Sequence, residues 1–484
     1  MDKNALYLAI DQGGGSTRAI VFDDHARVVA AASQTIEVEH PRLGWVEQDA
    51  LSIVLSAKKV LEEIASQLGA KVSRIVAAGL ATQRSNVVCW RKSSFEPLSS
   101  AISWQDRRAY QWMRQFDTER DMIRQKTGLV VSPHYGVSKI KWCLENIEAV
   151  ASALENNDLV CGPLASFLVC QLVQSPCSVV DPASASRTLL WNIHNGQWDE
   201  ELLALFGLNR DYLPECVPTC HPYGDILVGD YAIPLVVVTG DQSAALYANG
   251  KPEQYTALIN MGTGVFIQYP TGNQAVDIPG LLCSMVYRDS NTSEYVIEST
   301  INGASNALME VEDALGVSGD EAEQNLENWF AKYPEPPLFL NGVAGLAAPY
   351  WVPDFASRFV GDGSVEEKIL AVAESILFLI DVNVRLLKDN EQPVSRIKVT
   401  GGLSNSDCLC QKLANLLQLP IIRSEQTEAT AMGLAFLTAQ APKSWRLAET
   451  GQSFAPQQDA PLHRRFREWE NEMEKALKKQ TSEL

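Results

Sequence analysis

One local pattern occurs twice in this chain. Near the start, the aliphatic run LYLAI (residues 6–10) leads into the turn DQGGGST (11–17) and out through RAIVF (18–22). About 250 residues later, ALINM (257–261), GTG (262–264) and VFIQY (265–269) repeat it. Strand, glycine turn, strand is a hairpin whose tip offers successive backbone N–H groups, a nest for an anion. Glycine there admits positive φ and close approach of a ligand. One such hairpin serves only its own turn. Two, at matched places in the two halves, predict two similar domains facing one cleft.

The remaining pattern agrees with an α/β chain. Aliphatic runs at 28–36, 75–80, 87–90, 235–238, 257–268, 281–287, 295–298 and 397–399 read as strands, and 51–68 reads as a helix. The clearest helix starts at Ser364, where Ser364 and Glu367 form a capping box, and buries Leu370, Ala373, Ile376, Leu377 and Ile380 before Lys388, Asp389 and Asn390 end it. Near the end, Phe466, Trp469, Met473 and Leu477 recur at three and four residues across 461–479, predicting an amphipathic helix docked on the second domain.

Composition excludes several functions. The 484 residues suit two or three domains, and 46% hydrophobic content supplies their cores. With 59 acidic against 40 basic residues, the charge of -19 repels a phosphate backbone, so no nucleic-acid partner is expected. No apolar run approaches the ~18 residues of a membrane span, and no secretory pattern opens the chain. A cytoplasmic protein with no membrane partner is expected. Ten irregularly spaced cysteines make no disulfide scaffold, and Cys216, Cys220 and His221 lack a second ligand pair. Neither a P-loop nor a dinucleotide-binding G-x-G-x-x-G is present, nor are the protein-kinase signatures.

Eleven segments carry a resemblance. They are DQGGGSTRAIVF, GWVEQD (44–49), ATQRS (81–85), AISWQDRRA (101–109), VSKIKW (137–142), ASRTLLWNIHNGQWD (185–199), VTGDQSAAL (238–246), NMGTG (260–264), APYWVPD (348–354), VTGGLSNS (399–406) and EATAMGLA (428–435). In this order they resemble the FGGY family of carbohydrate kinases, and within it the glycerol kinases most. The resemblance implies two actin-like (ribonuclease H-like) α/β domains flanking an interdomain cleft. Their bounds would be about 1–243 for substrate and base and 244–484 for nucleotide. It also implies ATP and Mg²⁺ as cofactors and transfer of the γ-phosphoryl group to a hydroxyl of a small carbohydrate or polyol. It leaves room for a homo-oligomer.

Phosphoryl transfer needs positioning, charge stabilisation and a base more than covalent work. Asp241, emerging after the aliphatic run 235–238, is the candidate base and a metal ligand. Asp11 follows the first run in the same way and would hold Mg²⁺, mostly through water. Arg18, at the start of the return strand, would reach the transferred phosphate. Gly13, Gly14, Gly15, Ser16 and Thr17 form the first phosphate loop, and Gly262, Thr263 and Gly264 the second. Gly401 and Gly402 would let the nucleotide lie on bare backbone. Asn405 would bond the adenosine, with Gln411 and Asn415 on the following helix.

The acceptor residues depart from the glycerol kinase pattern. That branch places Arg-Glu where this chain has Arg84-Ser85, so a carboxylate is replaced by a small hydroxyl. Trp104 and Asp106 look more like the W-N-D run of pentulose kinases, Asp106 being the expected acceptor. At the substrate tyrosine the chain reads His134-Tyr135, with His134 in the slot by its spacing to Lys139, and Gln242 follows the base. Ser85 and Asp106 favour an acceptor larger than glycerol, a polyol or ketose. Gly14 and Gly15 remove a loop hydroxyl and predict a loop that is flexible when empty. They also motivate the alternative of a nucleotide-binding pseudokinase, against which the retained Asp11 and Asp241 argue.

Overall fold

The computed structural model describes residues 4–424, 428–442, 445 and 451–482. Two large sheets organise it. The first has six strands in the order Cys220–Val228, Tyr231–Gly240, Ile75–Thr82, Leu6–Gln12, Ser16–Asp23 and Val28–Thr35. Its three central strands run parallel, so their carboxyl ends lie together on one edge. The second has seven strands, Leu282–Arg288, Ser293–Ile301, Val265–Gly272, Thr256–Met261, Arg396–Thr400, Ile421–Ser424 and Gly451–Phe454. The run 257–268, read as one strand above, is corrected to two: it breaks at the glycine turn into the hairpin also read there.

The helix Ala50–Leu68 covers one face of the first sheet. Asp49 caps it by accepting from the Ser52 N–H, and Ile53, Ala57, Val60 and Ile64 are turned inward. The other face is covered by the helix Ala429–Thr438, which belongs to the second half of the sequence. Its apolar residues point in all directions because it is enclosed on all sides. A side chain at Gly79 would meet Thr438 Oγ1 at 2.4 Å, and one at Gly433 would strike the Ala244 carbonyl. Glycine at both positions lets helix and sheet interlock.

On the second sheet the helix Val365–Asp389 forms the core. Its capping box is present, with Glu367 N–H donating to Ser364 Oγ at 3.3 Å and Ser364 N–H to Glu367 Oε2 at 2.8 Å. The terminal helix Ala460–Ser482 docks here through buried Phe466, Trp469 and Met473. Trp469 Nε1 donates to the Phe339 carbonyl at 2.8 Å. Within the first half, a four-stranded sheet of Glu47–Gln48, Ala101–Ile102, Val87–Arg91 and Leu159–Pro163 carries the acceptor-side loops. Its core is completed by Leu282, Cys283, Met285 and Tyr295 of the second half. Among the described residues no helix is long and apolar enough to cross a membrane, and no group of three metal-ligating side chains occurs.

Candidate active site

The three parallel strands set the position of the two acids. Asp11 and Thr239 both pair with Ala81 on the strand between them, so Asp11 and Asp241 leave the sheet at the same edge. Burial pushes the Asp11 carboxyl up to about 7; Asp241 and Glu428 add to the rise, and Arg18 opposes it. Burial also raises Asp241, while Arg84, the Gln242 N–H and Arg187 act against it. Two half-buried carboxylates, both raised by burial, are a donor set a divalent cation would satisfy. With only two carboxylates, such a cation would complete its shell from water and phosphate oxygens, which Mg²⁺ prefers.

A cavity of about 440 Å³ opens beside them. It is lined by Asp11, Arg18 and Gln242 from the first half, and by Asn260, Phe266, Gln268, Lys398, Gly401, Asn405 and Glu428 from the second. Arg18 Nη1 reaches across it to Glu428 Oε2 at 2.9 Å.

The first loop differs from expectation in two ways. Its glycines avoid left-handed φ, and its carbonyls are fixed. Gly13 O accepts from Gln12 Nε2 (2.7 Å) and Gln83 Nε2 (3.1 Å), Gly14 O from Gln48 Nε2 (2.9 Å), and Gly15 O from the Ile36 N–H (2.9 Å). The expected slack is corrected to a pinned loop. Thr17 is corrected as well: it is fully buried, with Oγ1 2.8 Å from Ser56 Oγ in the helix beneath the sheet. Ser16 lies at the loop's exit, half-buried.

In the second half the Gly262–Gly264 turn is held by backbone. Gly262 N–H donates to Gly264 O, Ala304 N–H to Thr263 O and Ser305 N–H to Gly262 O. Thr263 is exposed at the tip of the turn. Gly401 has φ +91°, and a side chain there would meet Asn260 Oδ1 at 2.5 Å; Gly402 faces open space. Asn405 is exposed at the cavity. Gln411 and Asn415 do other work: they bond each other and the backbone of Ala455 and Gln457, tying down the C-terminal segment.

On the acceptor side Arg84 is buried beside Asp241. A side chain at Gly240 would come within 2.5 Å of its Cγ and Cδ. Ser85 adopts φ +66°, and its buried hydroxyl has no hydrogen-bond partner. Trp104 and His134 are half-buried, their rings 5.2 Å apart. Burial, with Arg187, Lys139, Arg107 and Arg84 nearby, holds the His134 imidazole well below its usual range, so it is neutral. Tyr135, 2% exposed, packs in the core, leaving His134 the more open of the two rings. Lys139 Nζ donates to the carbonyls of Pro133, His134 and Tyr135 and so shapes this loop.

Asp106 is corrected. Both its oxygens are taken: Arg108 Nε at 2.9 Å and Arg108 N–H at 2.9 Å reach Oδ1, while Val46 N–H at 2.7 Å and Arg108 Nη2 at 2.8 Å reach Oδ2. Arg108 in turn stands over Trp45 and Trp142. The acid ties the smaller sheet together and has no lone pair left for an acceptor.

Sequence reasoning assigned no role to Arg187, Gln268, Glu298 or Glu428, although Arg187 and Glu428 lie in quoted motifs. For Glu298 a signal existed: a carboxylate inside the apolar run YVIE of an interior strand demands a buried partner.

Comparison with known proteins assigns both halves to one family. Residues 6–248 match the model of the FGGY family of carbohydrate kinases, N-terminal domain, and 257–441 that of its C-terminal domain. The chain is 35% identical over 452 residues to a glycerol kinase from Shewanella frigidimarina, covering 91% of this chain and 90% of that one. Among solved structures it is similar to Plasmodium falciparum glycerol kinase with ADP, with TM-score 0.89 and 24% identity over 98% of both chains. It is also similar to xylulose kinase from Rhodospirillum rubrum, with TM-score 0.85 and 19% identity over 97% of both chains. Two sheets, two glycine hairpins, an acid pair at one sheet edge and a family match over both halves lead to one statement: this chain belongs to the FGGY family of carbohydrate kinases.

Proposed function

We propose that this kinase transfers the γ-phosphoryl group of ATP to a hydroxyl of a small polyol, with Asp241 as general base and Mg²⁺ held at Asp11 and Asp241. The observation that carries this reading is the acid pair: two carboxylates at aligned strand ends, both pushed toward neutrality, beside a cavity walled by both halves. When bound, Mg²⁺ supplies charge neutralisation for the phosphate oxygens. Asp241 takes the proton of the attacking hydroxyl, a contribution of roughly 10²–10⁴-fold. Arg18, on the cavity wall, exchanges Glu428 for a phosphate oxygen. Asn405 and the bare backbone at Gly401 and Gly402 receive the adenosine. Closure of the two halves over the site excludes water and limits ATP hydrolysis.

The acceptor is of glycerol's class. Glycerol kinases at 32–35% identity support it, and with Asp106 committed to Arg108, only Ser85 still argues for a larger molecule. For that reason longer polyols and ketoses belong in the test beside glycerol. An ADP-release assay with MgATP against glycerol, erythritol, pentitols, ketopentoses, ketohexoses and sugar acids tests this. Turnover concentrated on a polyol is expected. Silence across the panel with ATP still bound would leave a nucleotide-binding protein of the same fold.

A further inference from the structure

Glu298 stands on the strand Ser293–Ile301 of the second sheet, yet its carboxylate faces the first half of the chain. Oε1 lies 2.8 Å from Arg84 Nη1, and Oε2 lies 2.6 Å from Arg187 Nη2. The flanking strands complete the shell. Ser284 Oγ donates to Oε2 at 2.8 Å, and Gln268 Nε2, opposite Glu298 in register, donates to Oε1 at 3.3 Å. Glu298, Arg187 and Arg84 are 4%, 6% and 8% exposed. Burial pushes the Glu298 carboxyl up, but Arg187, Arg84 and Ser284 outweigh it and bring the group to about 2, so it is fully ionised.

A buried ion cluster is weak evidence for stability, because desolvation offsets its attraction. Three features point to the reaction instead. The Arg84 stem lies against Gly240, next to the proposed base, so the carboxylate that fixes Arg84 fixes the flank of Asp241. Gln268 also donates to the Gln242 carbonyl, whose N–H bonds Asp241 Oδ1. Arg187 Nε and Nη1 and Ser85 Oγ are buried without hydrogen-bond partners, polar capacity that a purely structural cluster would have satisfied.

We infer that Glu298 is a positioning residue for the acceptor: from the second half it holds Arg84 and Arg187 of the first, so the acceptor side is complete only while the two halves are joined. The inference rests on the proposed reading of Arg84 and Asp241.

Steady-state kinetics with the best acceptor from the panel tests it, comparing wild type with Glu298→Gln and Glu298→Asp. The acceptor KM of Glu298→Gln is expected to rise about tenfold or more, the loss of a charged hydrogen bond. The ATP KM stays within about twofold. Glu298→Asp recovers part of the acceptor affinity. Ser284→Ala, which loosens the carboxylate and keeps its charge, is expected to raise the acceptor KM about two- to threefold; it decides the matter if Glu298→Gln does not fold. An unchanged acceptor KM, or acceptor and ATP affinity lost together, overturns the positioning role and leaves the kinase reading standing. A wild type that phosphorylates nothing in the panel overturns that reading, and this inference with it.

Discussion

In the first glycine hairpin three glutamine side chains, Gln12, Gln48 and Gln83, hold the Gly13 and Gly14 carbonyls, and only that of Gly15 is held by backbone. In the second, the neighbouring backbone at Ala304 and Ser305 holds the loop carbonyls. The two runs look alike as sequence, and both place backbone N–H groups at a strand end. They differ in what fixes them. The first depends on side chains that single substitutions remove, and stands beside both acids. The second depends on shape: Gly264 lies against the Ile301 carbonyl, and Gly401 against Asn260 and Met261. On the proposed reading, the first half carries the chemistry and the second half the fit to the nucleotide.

The largest test of that division is Asp241→Asn. It should lower kcat by roughly 10²–10⁴-fold while ATP binding, measured by calorimetry, stays within a few-fold. Loss of nucleotide binding on the same scale would erase the division. Next come the paired glycines of the second half. Gly401→Ala combines φ +91° with contacts near 2.5 Å and should cost about 2–3 kcal/mol of stability, together with a raised ATP KM. Gly402→Ala, facing open space, should stay within about 0.5 kcal/mol in denaturant titration.

Gln48→Ala probes the first loop. Freeing the Gly14 carbonyl removes a hydrogen bond worth about 1 kcal/mol, so the ATP KM should rise about fivefold with kcat less affected. A shift in melting temperature tests Asp11. Its folded-state pKa, about 7, lies above the ordinary carboxylate value, so the nucleotide- and metal-free protein loses stability as pH rises from about 4 through 7. Asp11→Asn should melt a few degrees above wild type at pH 8, with the gap shrinking at pH 5. Added Mg²⁺ and ATP should narrow it at pH 8 by stabilising only the wild type. In the wild type, kcat/KM should climb as pH rises toward and past 7, as Asp11 ionises.

Much of the fold was legible because it follows from short-range rules. The Ser364 cap, the aliphatic strands and the terminal helix with its Phe466, Trp469 and Met473 face all form where local pattern places them. Thr17 was misread although its parity was available: it alternates with Arg18 and shares a face with buried Ala19 and Val21. Asp106 was misread for a different reason. Its partners include the Val46 N–H, 60 positions earlier, and no local rule places that group in front of it. The helix Ala429–Thr438 reads as apolar on every side, but nothing in that run tells which sheet it covers.

The sequence by itself determined the repeated hairpins and the strand ends that carry Asp11 and Asp241, because these rest on periodic burial and local turn chemistry, and its eleven segments carried the resemblance to the family. Only the tertiary structure decided which carboxylate serves which cation. Asp106 went to Arg108, Glu428 to Arg18, and Glu298 to Arg84 and Arg187. The physical reason is that a buried charge takes its role from whatever opposite charge or donor folding brings within about 3 Å of it. For Glu298 those partners lie more than a hundred residues away in the chain.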